Sequence, residues 1–183
     1  MRVVSGSVRG RPLKAPPGRA VRPTTDRVRE AVFNALHSSG AVEGARVLDL
    51  FAGSGAMGIE ALSRGAASAT FVDDSREAIE VVRANLARCG FEARAEVVRS
   101  DAAGFLRQRG SLRWDLAVLD PPYAFDGWSE VLDSLDARVA VFESDRAVEV
   151  PSGWVVVRER SYGATVVTIA EGHPPPPSGG PKP

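Results

Sequence analysis

Apolar and polar positions follow two rhythms along this chain, and the rhythms take turns. Runs of mostly apolar residues at 46–51, 69–73, 95–99, 116–120 and 139–143 have the length and β-branched content of buried strands. Between them apolar residues recur every three or four positions. Within 76–89 these are Ala78, Ile79, Val82 and Leu86, the stripe of a helix lying on a sheet. Helices are also predicted at 57–64, 102–109 and 128–135. Ahead of the first strand, Val28, Val32, Ala35 and Leu36 share one helical face; Thr24, Thr25 and Asp26 are cap-type residues before it, and Gly40 marks its end. The last two strands, 154–160 and 165–170, meet at Ser161-Tyr162-Gly163 and read as a hairpin. This alternation predicts an α/β fold: a mostly parallel sheet with helices on both faces, closed by an antiparallel C-terminal hairpin.

Length changes the picture little, because 183 residues suit one domain with a substantial core. No apolar run approaches the ~20 residues of a membrane span, and no signal-peptide core opens the chain. A cytoplasmic protein without a membrane partner is expected. Cys89 is the only cysteine, so no intramolecular disulfide can form. His37 and His173 are far apart, and no metal site is expected.

Charge matters more. The chain balances 23 basic against 23 acidic residues, yet residues 1–30 hold eight Arg or Lys against Asp26 and Glu30. A basic arm on an acidic body points to a polyanionic partner, with a solvated surface as the plain alternative. Glycines and prolines at 6, 10, 12 and 16–18 divide the arm into turns or a small hairpin. The closing HPPPPSGGPKP, in the segment 172–183, has the composition of a disordered tail.

Candidate chemistry sits where strands end. Asp49-Leu-Phe-Ala-Gly53-Ser-Gly55-Ala-Met-Gly58 follows the first strand and opens a helix, the setting in which a glycine turn lets a nucleotide-like ligand approach the backbone. The spacing also fits a dinucleotide fingerprint. Asp49, four residues before Gly53, would serve a pyrophosphate poorly and suits a ligand with positive charge, such as the sulfonium and ammonium of S-adenosylmethionine. Asp73 ends the second strand, where an acid accepts ribose hydroxyls; strand alternation favours it over Asp74. Asp101 follows the third strand and can either accept from an adenine amine or cap the helix at Ala102.

The fourth strand ends in Asp120-Pro121-Pro122-Tyr123. An exocyclic amine is a poor nucleophile because its lone pair is conjugated into the ring. The Asp120 carboxylate and the Pro121 carbonyl can hold its two hydrogens, proline stiffens the bend, and Tyr123 offers a stacking face. A rigid strand exit with a tyrosine beside it is the plain alternative.

DLFAGSGAMG followed by VLDPPY resembles the amino-methylating class I S-adenosylmethionine-dependent methyltransferases. GRPLKAP, RPTTDRVREAVFNAL, LDLFAGSGAMGIEALSRGA, FVDD, LDPPY, VFESDR and WVVVRERSYGATVVTI, in order across most of residues 3–170, resemble more closely the bacterial 16S ribosomal RNA guanine-N2 methyltransferase (RsmD-like) family. That resemblance implies a Rossmann-like, seven-stranded methyltransferase domain (24–171) behind a small RNA-gripping N-terminal extension (1–23). It implies S-adenosylmethionine as methyl donor, held by Asp49, Phe51, Gly53, Gly55, Asp73 and Asp101, with Thr24 at the methionine end. It implies catalysis at Asp120, Pro121, Pro122 and Tyr123, and RNA contacts from Arg9, Arg11, Lys14, Arg19 and Arg22. The expected substrate is a guanine of 16S rRNA, bare or in an assembling small subunit, and the expected state is monomeric. The link from Tyr123 to the fifth strand is shorter than usual in that family. The alternatives are a DNA N6-adenine methyltransferase, which would need a target-reading segment, and a non-catalytic adenosine-nucleotide or RNA-binding module. An NAD oxidoreductase is disfavoured by Asp49.

Overall fold

A computed structural model describes residues 1–16, 26–109, 113–122 and 125–172. Helix α1 (Asp26–Ser38) leads into β1 (Arg46–Leu50), α2 (Ala56–Ser63), β2 (Ser68–Asp73) and α3 (Arg76–Cys89). A short 3-10 turn precedes β3 (Ala95–Arg99). Then come α4 (Ala102–Arg109), β4 (Trp114–Leu119), α5 (Trp128–Ser134), β5 (Ala137–Ser144), β6 (Trp154–Tyr162) and β7 (Thr165–Gly172). The seven strands form one sheet in the order β3-β2-β1-β4-β5-β7-β6. The first five are parallel, while β7 lies antiparallel between β5 and β6. No described helix is long and apolar enough to cross a membrane.

The predicted elements are all present, with ends shifted by a few residues. The clearest shift is in the hairpin, where β6 runs on through Tyr162 and the turn is made at Gly163, in the left-handed region at φ 64°. A register irregularity between Val156 and Arg158 adds a residue to β6, as a β-bulge does. Two apolar layers sandwich the sheet. On one face α1, α2 and α3 cover Val47, Phe71, Val118 and Val141; on the other α4 and α5 cover Leu48, Leu50, Ala117 and Phe142. Strands buried on both sides must be apolar nearly throughout, which is why these runs lack strict alternation.

The N-terminal segment forms its hairpin, with Arg2 bridging Pro12 and Val3 donating to the Arg11 carbonyl. It does not stand free of the domain. Val3 and Leu13 are buried in the α1–α3 layer, and its backbone is fastened to α2 and α3. The segment 17–25 that joins it to α1, and the expected tail at 173–183, lie outside the described residues.

Candidate active site

Open parallel sheets leave a crevice at the carboxyl ends of their strands where the order reverses. Here the reversal falls between β1 and β4, neighbours whose partners lead in opposite directions along the sheet. Three of the predicted acids, Asp49, Asp73 and Asp120, come together there. Asp49, on β1, is buried, and one of its oxygens accepts the Gly58 amide at 2.8 Å. Burial pushes its pKa up to about 8; the Gly58 bond opposes the rise, and the charges of Asp120 and Asp73 add to it. Asp49 is thus a carboxyl held mostly neutral at pH 7 in a cluster of acids, an arrangement that an incoming cation would relieve.

The turn above it is built from unusual backbone. Phe51, Gly53 and Gly55 all have left-handed φ, at 61°, 55° and 75°. For Phe51 this costs roughly 1–2 kcal/mol, because its Cβ crowds the backbone. Gly58 serves a different purpose: a Cβ there would lie 2.3 Å from the Phe71 ring and 3.0 Å from Asp49. The first two glycines shape the loop, and the third lets α2 press onto the sheet.

Asp73 is buried at the end of β2, whereas Asp74 is exposed. The Asp73 carboxylate accepts the Gly53 amide at 2.8 Å and the Ser75 amide at 3.0 Å, one on each oxygen. These bonds orient the carboxylate. Asp101 is exposed and accepts the Gly104 amide at 2.7 Å, capping α4. The capping role weighed for it is therefore realised.

Asp120 follows β4 and is exposed, while Pro121 is buried and Pro122 exposed. The Pro122 carbonyl accepts the Phe125 amide at 2.9 Å. Phe125 then meets Phe51 edge-on, with centroids 5.0 Å apart, and Trp128 at 5.3 Å; Trp128 reaches Phe142 at 5.5 Å. This aromatic chain ties the glycine loop to the β4 exit. Arg146 fastens the same loop by pairing with Asp126 at 2.7 Å and donating to the Phe125 carbonyl at 3.3 Å. Thr24, Arg19, Arg22 and Tyr123 lie outside the described residues. Arg9, Arg11 and Lys14, expected to meet RNA phosphates, are exposed.

Sequence reasoning missed the buried polar residues that seat the arm: Glu60 and Asn85, with Ser63 of α2 also bonded to Ser5, Ser7 and Val8. Glu60 is fully buried on α2, where its oxygens accept the amides of Val4 (2.8 Å) and Ser5 (3.0 Å) and pair with Arg64 (2.8 Å) and with the buried Arg29 (3.6 Å). Asn85, fully buried on α3, exchanges two hydrogen bonds with the backbone of Lys14 and donates to the Ser54 carbonyl at 2.8 Å. It joins the arm to the glycine loop. An acid in the otherwise apolar AMGIEALS, and an amide on the apolar stripe of α3, were the available signals.

Sheet order, glycine turn and strand-end acids together define a Rossmann-like class I methyltransferase fold. The chain belongs to the family described as conserved hypothetical protein 95, whose model matches residues 1–171. It is 41% identical over 181 residues to YlbH of Bacillus subtilis (strain 168), named as a candidate rRNA methyltransferase; the match covers 92% of this chain and 97% of that protein. It is 38% identical to ribosomal RNA small subunit methyltransferase D of Escherichia coli (strain K12), over 89% of this chain and 85% of that one. The solved structure of yhhF from Escherichia coli, described as a candidate methyltransferase, superposes with a TM-score of 0.82 at 36% identity. It covers 94% of this chain and 97% of that one.

Proposed function

We propose that this protein transfers the methyl group of S-adenosylmethionine to the exocyclic N2 of a guanine in 16S ribosomal RNA, acting in the cytoplasm as a monomer. The carrying observation is the pairing of two unlike carboxyls at one crevice: Asp49 buried and mostly neutral, Asp120 exposed at the adjoining strand end. Relatives named as ribosomal RNA methyltransferases at 38% and 41% identity support the substrate class.

The residues present fit the cofactor. A cation near Asp49 would compensate the crowded acids, the buried Asp73 stands at the β2 end where an acid meets ribose hydroxyls in such folds, and left-handed glycines open the turn to a close ligand. Thr24 is assigned to the methionine end and Phe51 to the floor of the site. Asp101 is assigned to the adenine side, using acceptor capacity beyond its Gly104 bond. When bound, the cofactor supplies an already activated methyl group.

The chain's own task is positioning. Asp120 accepts one N–H of the guanine amine and the Pro121 carbonyl the other, which frees the nitrogen lone pair from the ring as the reaction proceeds. The prolines hold that bend stiff, and Tyr123 is assigned to stack on the base. The exposed Arg9, Arg11 and Lys14, with Arg19 and Arg22, are assigned to RNA phosphates. The test is calorimetric titration with S-adenosylmethionine and with NAD, followed by labelled methyl transfer onto rRNA fractions. Saturable binding of the first alone, and label in the 16S fraction, are expected; binding of NAD alone would overturn the reading.

A further inference from the structure

One cationic surface has no role in the reaction described above. Strand β6 is parallel to β5, because each is antiparallel to the β7 between them, so its Tyr162 end lies on the catalytic edge of the sheet. Past the irregularity at Val157, Arg158, Arg160 and Tyr162 pair with Ile169, Val167 and Thr165. Alternation puts all three on the face covered by α1. There they border a shallow, open groove whose other wall is Ala31, Val32 and Ala35 of α1.

The groove has an apolar floor, in Val32, Val167 and Ile169, and a basic rim. Arg158 and Arg160 are exposed, and no hydrogen bond or ion pair engages either guanidinium among the described residues. Arg27, equally exposed and unpaired, stands one helical turn before Ala31 on the same stripe of α1. By contrast Glu159, on the opposite face of β6, accepts from Thr168. The small alanines at 31 and 35 keep the groove open where larger side chains would fill it.

Position connects this groove to the catalytic edge. Arg160 is level with Val167 and Val167 with Glu143, while Leu119 is level with Phe142. Asp120 is therefore in the same row as Arg160, three strand spacings away, or on the order of 15 Å. That span suits a strand that passes one nucleotide to Asp120 and lays its neighbours along β6.

We propose that the groove between α1 and β6–β7 is an RNA track. It takes the single-stranded segment flanking the target guanine, with its phosphates on Arg158, Arg160 and Arg27 and a base against the apolar floor and Tyr162. This rests on the reading of the protein as an RNA methyltransferase. It assigns RNA contact to β6 and α1 rather than to the N-terminal arm.

The test measures binding of fluorescent 16S rRNA fragments at several salt concentrations, for wild type, R158A/R160A and the charge-matched control R76A/R107A on α3 and α4. R158A/R160A is expected to weaken binding roughly tenfold and to flatten the slope of log K against log salt by about 1.4, two single-strand phosphate contacts. Its melting temperature and S-adenosylmethionine affinity should match wild type, and the control should bind as wild type. An unchanged slope in R158A/R160A, or an equal loss in the control, overturns the track. So does a wild-type dimer in sedimentation that the double substitution dissociates, since the groove would then seat a second copy. Wild-type protein that binds RNA but transfers no methyl group contradicts the proposed reaction, and the affinity comparison still decides the groove.

Discussion

The two sides of the crevice are made differently. On the β1–β2 side, Asp49 and Asp73 are buried, Asp49 accepts the Gly58 amide and Asp73 those of Gly53 and Ser75, and the glycine loop is held by hydrogen bonds to Ala52 and from Asn85. On the β4 side, Asp120 is exposed, and the loop beyond it is positioned by proline stiffness, an aromatic chain and the surface cation Arg146. A small, invariant cofactor suits a site built before it arrives. A base drawn out of a large RNA needs an open approach and is bound by what closes around it.

This contrast predicts opposite phenotypes for two aspartates. Asp120→Ala should leave cofactor affinity within about twofold and depress single-turnover methyl transfer by about 10²–10³-fold, the usual loss when a positioned transition-state partner is removed. A merely twofold loss of rate would reduce the β4 exit to a rigid corner. Asp73→Ala should do the reverse. It should weaken S-adenosylmethionine binding by about 1.5–3 kcal/mol, as for hydrogen bonds to a charged group, and change the rate at saturation little. An unaltered dissociation constant in calorimetry would remove Asp73 from the cofactor side.

A smaller effect separates the sides by pH. Asp49 has its folded pKa raised to about 8, so the neutral form is favoured in the free protein. A raised carboxyl contributes stability that is complete below its unfolded value near 4 and is lost as pH rises through about 8. The melting temperature of wild type relative to Asp49→Asn should therefore fall across that range. A cationic ligand favours the ionised form, so cofactor affinity should tighten with pH by at most about tenfold per unit up to pH 8 and then level off. In Asp49→Asn that dependence should vanish; parallel pH profiles for the two proteins would show that Asp49 is remote from the ligand's charge.

The first side was largely legible in the sequence, and the reason is local. A strand, a turn with glycines two and three apart, and a helix leave their signature within a dozen residues, and β alternation favours Asp73, the buried one, over the exposed Asp74. What was not legible depends on distant partners. The basic arm read as an appendage because its residues are charged and glycine-rich. Its attachment runs through backbone amides to Glu60 and Asn85, more than fifty residues away, and backbone donors carry no sequence mark. Asp101 was ambiguous for a related reason: the same short carboxylate caps a helix and accepts from a ligand, and only the fold shows the Gly104 bond. Removing the arm would strand the buried Glu60 and Asn85, so substitutions of its exposed cations test RNA contact more cleanly than deletion does.

The central claim is that the Asp120 side presents a guanine amine of small-subunit RNA to an activated methyl group. It is tested most directly by incubating the protein with methyl-labelled S-adenosylmethionine and undermethylated 16S rRNA, digesting the RNA to nucleosides and identifying the labelled one by mass spectrometry. The account predicts N2-methylguanosine, at about one methyl per RNA, and its loss with Asp120→Ala. Label on N6-methyladenosine, or on DNA in preference to RNA, would contradict it.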